Sequence, residues 1–108
     1  MLYIPTDNTA ASATETIANV AIPAGTPIVT GEEGICRGCG VATLSISYYD
    51  MGYNAGKMAA EILKSGSTPG DMEIQYSSDV TKKYNVLICD QLGIDSSAIP
   101  SDYEKIED

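Results

Sequence analysis

Short apolar runs alternate with longer segments of helical character in the first third of the chain. Leu2–Ile4 and residues 27–30 are apolar and β-capable, which predicts two buried parallel strands. Residues 9–21 lie between them and form an alanine-rich run, which predicts a helix. Asp7 or Asn8 is placed to cap that helix, because short polar side chains at this position accept hydrogen bonds from free backbone N–H groups.

A second strand-to-helix pattern follows. Residues 41–47 alternate as an extended strand does, and Ser47 with Asp50 three residues later resembles a capping box. A helix is therefore predicted from about Tyr48 to Ser65, with Gly66 as its stop signal. One stripe of this helix is apolar: Met51, Ala55, Met58, Ala59 and Ile62.

The last third predicts one or two strands and a short helix. The strands are expected at residues 72–76 and 80–84, and Asn85 is placed to cap a helix over residues 86–92. A polar, acidic tail follows at residues 95–108. This order of elements predicts an α/β fold with an open, mainly parallel sheet and flanking helices.

Polar residues follow both of the first two predicted strands. They are Thr6, Asp7 and Asn8 after the first strand, and Glu32 and Glu33 after the second. A right-handed crossover between parallel strands places both groups at one sheet edge, where open α/β sheets bind ligands. Carboxylates there would pair with an ammonium group, and free backbone N–H groups would attract a carboxylate. The pattern therefore favours a small zwitterion as ligand, although capping alone is the commoner explanation of Asp7 and Asn8.

Cys36 and Cys39 form a Cys-x-x-Cys pair that the surrounding glycines place in a predicted loop. A redox pair normally opens a helix, and a zinc site needs four ligands. The chain has no histidine, and Cys89 is its one other cysteine. A structural or incidental role is therefore favoured, with a local disulfide between Cys36 and Cys39 left open. A thiol-redox or metal-binding module remains the alternative, and no cofactor is expected.

Charge and motif content exclude several classes of protein. The formal net charge is −9, from 15 acidic and 6 basic residues, and such a surface repels nucleic acids and anionic membranes. No apolar run approaches the ~18 residues of a membrane span. Without histidine there is no Ser-His-Asp or Cys-His arrangement, and no phosphate-binding loop is present. We therefore expect a binding protein and not an enzyme.

The chain resembles a known family in three stretches: LYIPTDNTAASA, GEEGICRGCGVATLSISYYDMGYNAGKMAAEILKSG and KKYNVLICDQLGI. Together they are similar to the C-terminal part of ABC-transporter substrate-binding proteins of the tryptophan/tyrosine-type uptake group. The resemblance covers residues 2–94. It implies the type I periplasmic-binding-protein fold, in which two α/β lobes close on a small ligand such as an aromatic amino acid, without chemistry. Effector domains of LacI-like regulators share this fold and are a further alternative.

The resemblance also implies roles for particular segments. Thr6 to Asn8 and Glu32 with Glu33 would face the interlobe cleft, and residues 41–47 would form a hinge crossing. An ABC permease would be the partner, at an extracytoplasmic location as a lipoprotein or periplasmic protein. The implied organisation is part of the C-terminal lobe at residues 1–47, a crossing helix and turn at 48–71, a returning segment at 72–94 and the tail at 95–108.

A chain of this length would be a fragment of such a protein. Alone, it is not expected to bind ligand as intact family members do. The apolar stripe of the long helix would be exposed, and exposed apolar patches of that kind seek a partner. The sequence therefore predicts self-association, with exchange of the segment after Ser47 between two copies.

Overall fold

The computed structural model describes residues 1–106 of the 108-residue chain. Over that range the strands form one sheet in the order β1-β2-β3-β4-β5. The strands are β1 Leu2–Ile4, β2 Ile28–Thr30, β3 Ala42–Ile46, β4 Val80–Tyr84 and β5 Glu104–Lys105. The pairings β1 with β2, β2 with β3 and β4 with β5 are parallel. The predicted α/β fold with a mainly parallel sheet is confirmed.

Helices connect these strands. They are α1 Asn8–Ser12, α2 Thr14–Ala21, α3 Glu33–Cys39, α4 Tyr48–Ser65 and α5 Val86–Gln91, with 3₁₀ turns at Pro69–Asp71 and Ser96–Ala98. The predicted signals act at both ends of α4: Ser47 Oγ accepts a hydrogen bond from Asp50 N at 3.1 Å, and Gly66 ends the helix with φ 70°. The single helix predicted at residues 9–21 is instead divided at Ala13, where the backbone leaves helical geometry.

The glycine-rich loop predicted around the cysteines is wrong, because residues 33–39 form the helix α3. Its first turn is capped by the Glu32 carboxylate, which accepts hydrogen bonds from Gly34 N and Ile35 N. Gly38 is required by packing, since a Cβ built there would lie 2.3 Å from Thr14 Oγ1 of α2. Each glycine weakens a helix by about 1 kcal/mol. Capping and the burial of Ile35, Cys36 and Cys39 offset this cost.

The strand predicted at residues 72–76 is also absent, and only the second of the two expected strands, β4, pairs with the sheet. Ile74 and Tyr76 are 79% and 83% exposed, so this segment buries no apolar face that would fix it in a sheet. The tail is more structured than its polarity suggests. Within it β5 pairs with β4, and Ile99 and Tyr103 pack against buried residues. Glu107 and Asp108, the end of the predicted tail, lie outside the described residues.

The chain divides into two compact units. One contains Met1–Ser45 and Thr81–Asp108, and the other is Ile46–Val80. The first unit holds two clusters of buried apolar side chains: Ala21, Ile28, Ile35 and Cys39, and Val41, Tyr84, Ile88 and Cys89. In the second unit, α4 has no buried residue along its whole length.

Asn85 ties the sheet to two helices of the first unit. Its side-chain Nδ2 donates to the carbonyl oxygens of Cys36 and Arg37, at 3.3 and 2.9 Å, where α3 ends. Its Oδ1 accepts from Ile88 N at 3.2 Å and so caps α5. Its backbone N donates to Val41 O at 3.0 Å, just before β3. One buried amide therefore fixes the end of α3 and the start of α5.

Replacement of Asn85 by alanine is expected to lower the free energy of unfolding by about 3 kcal/mol, because a helix cap is lost and buried carbonyl groups lose their donor. Urea denaturation followed by circular dichroism measures this change. The control is Asn19→Ala at an exposed position of α2, where the change should stay within about 0.5 kcal/mol. Equal effects of the two substitutions would contradict the role of Asn85.

Candidate functional site

The ends of β1 and β2 contact each other directly. Gly31 N donates to Ile4 O at 2.8 Å, and Thr6 Oγ1 donates to Gly31 O at 3.4 Å. The two polar segments predicted from the sequence therefore meet at one edge of the sheet. We refer to Thr6, Asp7, Asn8, Glu32 and Glu33 as the strand-end rim. All of these residues belong to the first compact unit.

Gly31 determines how closely the two strand ends approach. A Cβ built at this position would lie 3.0 Å from Thr6 N and 3.3 Å from the Pro5 carbonyl carbon, which are backbone atoms. It would also lie 3.2 Å from the Tyr3 hydroxyl oxygen. A larger residue would require these neighbours to shift by a few tenths of an ångström. Gly31 and Tyr3 were not among the predicted site residues, and the one signal in the sequence was a glycine between a strand and an acidic pair.

Two of the rim carboxylates cap helices. Asp7 Oδ1 accepts a hydrogen bond from Ala10 N at 2.8 Å, at the start of α1. Glu32 uses both of its oxygens, Oε2 toward Gly34 N at 2.8 Å and Oε1 toward Ile35 N. Asp7 is exposed and its second oxygen makes no hydrogen bond to other described residues, so it is the carboxylate with an acceptor to spare.

Two further members of the rim, Glu33 and Asn8, differ in their surroundings. Glu33 is the first residue of α3, and its carboxylate contacts Arg37 at 3.3 Å and Lys83 at 2.8 Å. These ion pairs balance the charge of Glu33 within the first unit. Asn8 is the first residue of α1 and is exposed. Asp7 is therefore the rim acid that has neither an ion pair nor a second hydrogen bond among residues 1–106.

The three cysteines are buried free thiols. Cys36 Sγ donates to Gly40 O at 3.5 Å and Cys39 Sγ to Ile35 O at 3.4 Å, and the disulfide left open by the sequence is not formed. Burial raises the pKa of Cys36 to about 12, and it also raises the pKa of Cys39 and of Cys89. Raised pKa values keep these sulfurs protonated and unreactive, which indicates a packing role.

Two further observations concern metals and membranes. No group of three or more metal-ligating side chains occurs among residues 1–106. In the same range, no helix combines the length and the apolar character needed to cross a bilayer.

The unit Ile46–Val80 contains a groove of about 450 Å³. One side is formed by α4, and the other by residues 75–77. Met51, Ala55 and Met58 supply its apolar lining on the helix. These are three of the five residues of the predicted apolar stripe, and Met51 is 44% exposed.

Comparison with known proteins shows similarity to binding proteins. The family described as ABC transporter substrate binding protein matches residues 1–99. A tyrosine-binding protein of Clostridioides difficile (strain R20291) is 36% identical over 74 residues, which are 68% of this chain and 21% of that protein.

Solved structures give the same result. A ligand-free, open substrate binding protein with adhesive properties from Clostridium difficile has 31% identity and a TM-score of 0.70 over 98% of this chain. A conserved domain protein from Vibrio cholerae has 28% identity and a TM-score of 0.84, also over 98%. An ABC domain in complex with L-Trp from Streptococcus pneumonia has 26% identity and a TM-score of 0.79 over 97%.

The matched region is a part of each relative. This chain covers 36% of each of the three solved chains and 21% of the tyrosine-binding protein. The family match nevertheless extends over nearly all of the present sequence, from residue 1 to residue 99. The chain belongs to the ABC transporter substrate binding protein family.

Proposed function

We propose that this chain forms one wall of the ligand cleft in a substrate-binding protein of an ABC importer, and that its strand-end rim binds an amino acid. Thr6, Asp7, Asn8, Glu32 and Glu33 would be the binding residues. The observation that carries the proposal is the contact between the ends of β1 and β2, which gathers these residues at one edge. Edges of this kind are where open α/β sheets bind ligands.

Asp7 is the expected partner of the ligand's ammonium group. It is exposed, it has an oxygen outside the cap of α1, and it forms no ion pair with any cation of residues 1–106. Glu32 would act mainly by holding the first turn of α3 in place, and Glu33 by balancing Arg37 and Lys83. The rim would thus offer an ammonium group the uncommitted carboxylate oxygen of Asp7, which suits a ligand with a single ammonium group.

The choice of an aromatic amino acid rests on the relatives. One of them is a tyrosine-binding protein, and another was solved in complex with L-Trp. In the whole protein, a second lobe would close over the ligand, and binding would involve no chemistry. The hinge at residues 41–47 and the crossing segment at 48–71 belong to this proposal, as do an ABC permease partner and an extracytoplasmic, lipid-anchored or periplasmic location. The family match favours an importer over a LacI-like regulator.

Titration of the ¹⁵N-labelled chain with L-tryptophan tests the binding proposal. We expect amide shifts confined to residues 3–4, 6–9 and 30–34, with a dissociation constant on the order of 1 mM because one wall of the cleft is present. Asp7→Asn should weaken binding about fivefold to tenfold by removing the charge that faces the ammonium group. It should keep the helix cap, since asparagine caps as well as aspartate does.

Asp95→Asn is the matched control for this substitution. Asp95 is also an exposed cap, with Oδ1 accepting from Ser97 N at 2.8 Å, and it lies in the same unit outside the rim. It should leave the titration unchanged. Shifts centred in Ile46–Val80, or equal weakening by both substitutions, would contradict the proposal.

We also propose that the chain self-associates through α4, with exchange of the segment after Ser47. The unit Ile46–Val80 contains a single α-helix and buries none of its residues, and a unit of this size rarely holds an apolar stripe without a partner. A second copy would cover the groove lined by Met51, Ala55 and Met58.

Size-exclusion chromatography with light scattering at micromolar concentration should then show a dimer or larger species. Met51→Glu should shift the chain to monomer, because it places a charge in the apolar groove. The control is Leu63→Glu on the same helix, since Leu63 is 86% exposed and does not line the groove. A monomeric state of the unsubstituted chain would count against self-association.

The alternative module, thiol-redox or metal-binding, is disfavoured by the buried, protonated state of Cys36 and Cys39. At pH 8 we expect an aromatic disulfide reagent to leave the native chain unmodified and to modify all three cysteines in urea. Rapid modification of native thiols, or stoichiometric zinc binding, would instead support the alternative.

The free energy of unfolding should also fall as pH rises above 9, because the unfolded chain releases thiol protons near pH 9.0 whereas folded Cys36 holds its proton up to about pH 12.

A further inference from the structure

Tyr3 reaches the strand-end rim from the middle of β1. Its neighbours in the strand face the helices: Leu2 lines a small apolar pocket with Ile17 and Val20 of α2, and Ile4 packs against the first buried cluster. Successive strand residues point to opposite faces, so Tyr3 lies on the other face of the sheet. The side chain is 66% exposed, and its hydroxyl oxygen lies 3.2 Å from where a Cβ on Gly31 would be.

The carboxylate of an amino acid ligand needs a hydrogen-bond donor, but the charged residues of the rim are all acidic. The two nearby cations, Arg37 and Lys83, are paired with Glu33. Thr6 Oγ1 already donates to Gly31 O, and Ala10 N at the start of α1 donates to Asp7. Both cations are therefore already engaged by an acid, and the Thr6 hydroxyl hydrogen and Ala10 N are already donated within the first unit.

The neutral side-chain donors on or beside the rim include the Asn8 amide and the Tyr3 hydroxyl. The Asn8 amide is exposed at the first position of α1. The Tyr3 hydroxyl has no hydrogen-bond partner among residues 1–106, and it lies against Gly31, where the two strand ends touch. A phenol donates well to a carboxylate and brings no charge of its own.

We infer that Tyr3 contacts the ligand and donates its hydroxyl hydrogen to the ligand's carboxylate, while Asp7 receives the ammonium group. The inference rests on the proposed function and extends it. It assigns the carboxylate of the zwitterion to Tyr3 of β1, and the ammonium group to Asp7 in the turn that follows β1. The rim then selects for molecules that carry both groups. Gly31 contributes by leaving space for the phenol beside the strand end.

Three small molecules separate the two roles in the ¹⁵N titration. L-tryptophan carries both charged groups, tryptamine lacks the carboxylate, and indole-3-propionate lacks the ammonium group. Tyr3→Phe should weaken the binding of L-tryptophan and indole-3-propionate about fivefold, since one hydrogen bond to a charged group is lost. It should leave the binding of tryptamine unchanged. Asp7→Asn should weaken the binding of L-tryptophan and of tryptamine and leave the binding of indole-3-propionate unchanged.

Tyr76→Phe is the matched control, because Tyr76 is 83% exposed and lies in the unit Ile46–Val80. It should change none of the three titrations, and the dispersion of the amide spectrum verifies that each variant is folded. If Asp7→Asn acts as expected but Tyr3→Phe has no effect, the proposed function holds and the role of Tyr3 is wrong. If Tyr3→Phe weakens the binding of all three molecules alike, the ring and not the hydroxyl makes the contact, which also overturns the inference. If none of the molecules shifts the rim, both proposals fail.

Discussion

The parallel pairing of β1 with β2 is the constraint on which the rest of the site depends. Leu2 pairs with Ile28, Tyr3 with Val29 and Ile4 with Thr30, so the two strands end at the same level. A slip of β1 by one residue would turn Ile4 away from the buried cluster that it shares with Ile28, α2 and α3. Core packing therefore fixes the register, and the register brings Thr6 against Gly31.

Rim acids cap helices at this edge, and the same arrangement suits their proposed binding role. A carboxylate at a helix N-terminus is favoured by the free N–H groups and by the helix dipole, and this holds the Asp7 and Glu32 side chains at the strand ends. Side chains held in this way lose little conformational freedom when a ligand binds. A cap with one oxygen left over is thus a preorganised acceptor, and Asp7 fits that description better than Glu32, whose two oxygens are both in use.

The sequence predicted those features that depend on local pattern and missed those that depend on tertiary contact. The boundaries of α4 followed from Ser47 and Gly66, since a cap and a left-handed stop act within a few residues. The helix α3 was missed because its glycines suggested a loop, whereas Thr14 fills the space over Gly38. The approach of Tyr3 to Gly31 spans two strands, and no spacing within either segment indicates it.

Burial of the cysteines reconciles three unpaired thiols with the proposed extracytoplasmic location. Oxidation proceeds through the thiolate, and a pKa of about 12 leaves roughly one Cys36 side chain in 10⁵ ionised at neutral pH. Cys36, Cys39 and Cys89 are also at most 1% exposed, so an oxidant could reach them only when the fold opens. The packing that buries α3 therefore also shields its two thiols from oxidation.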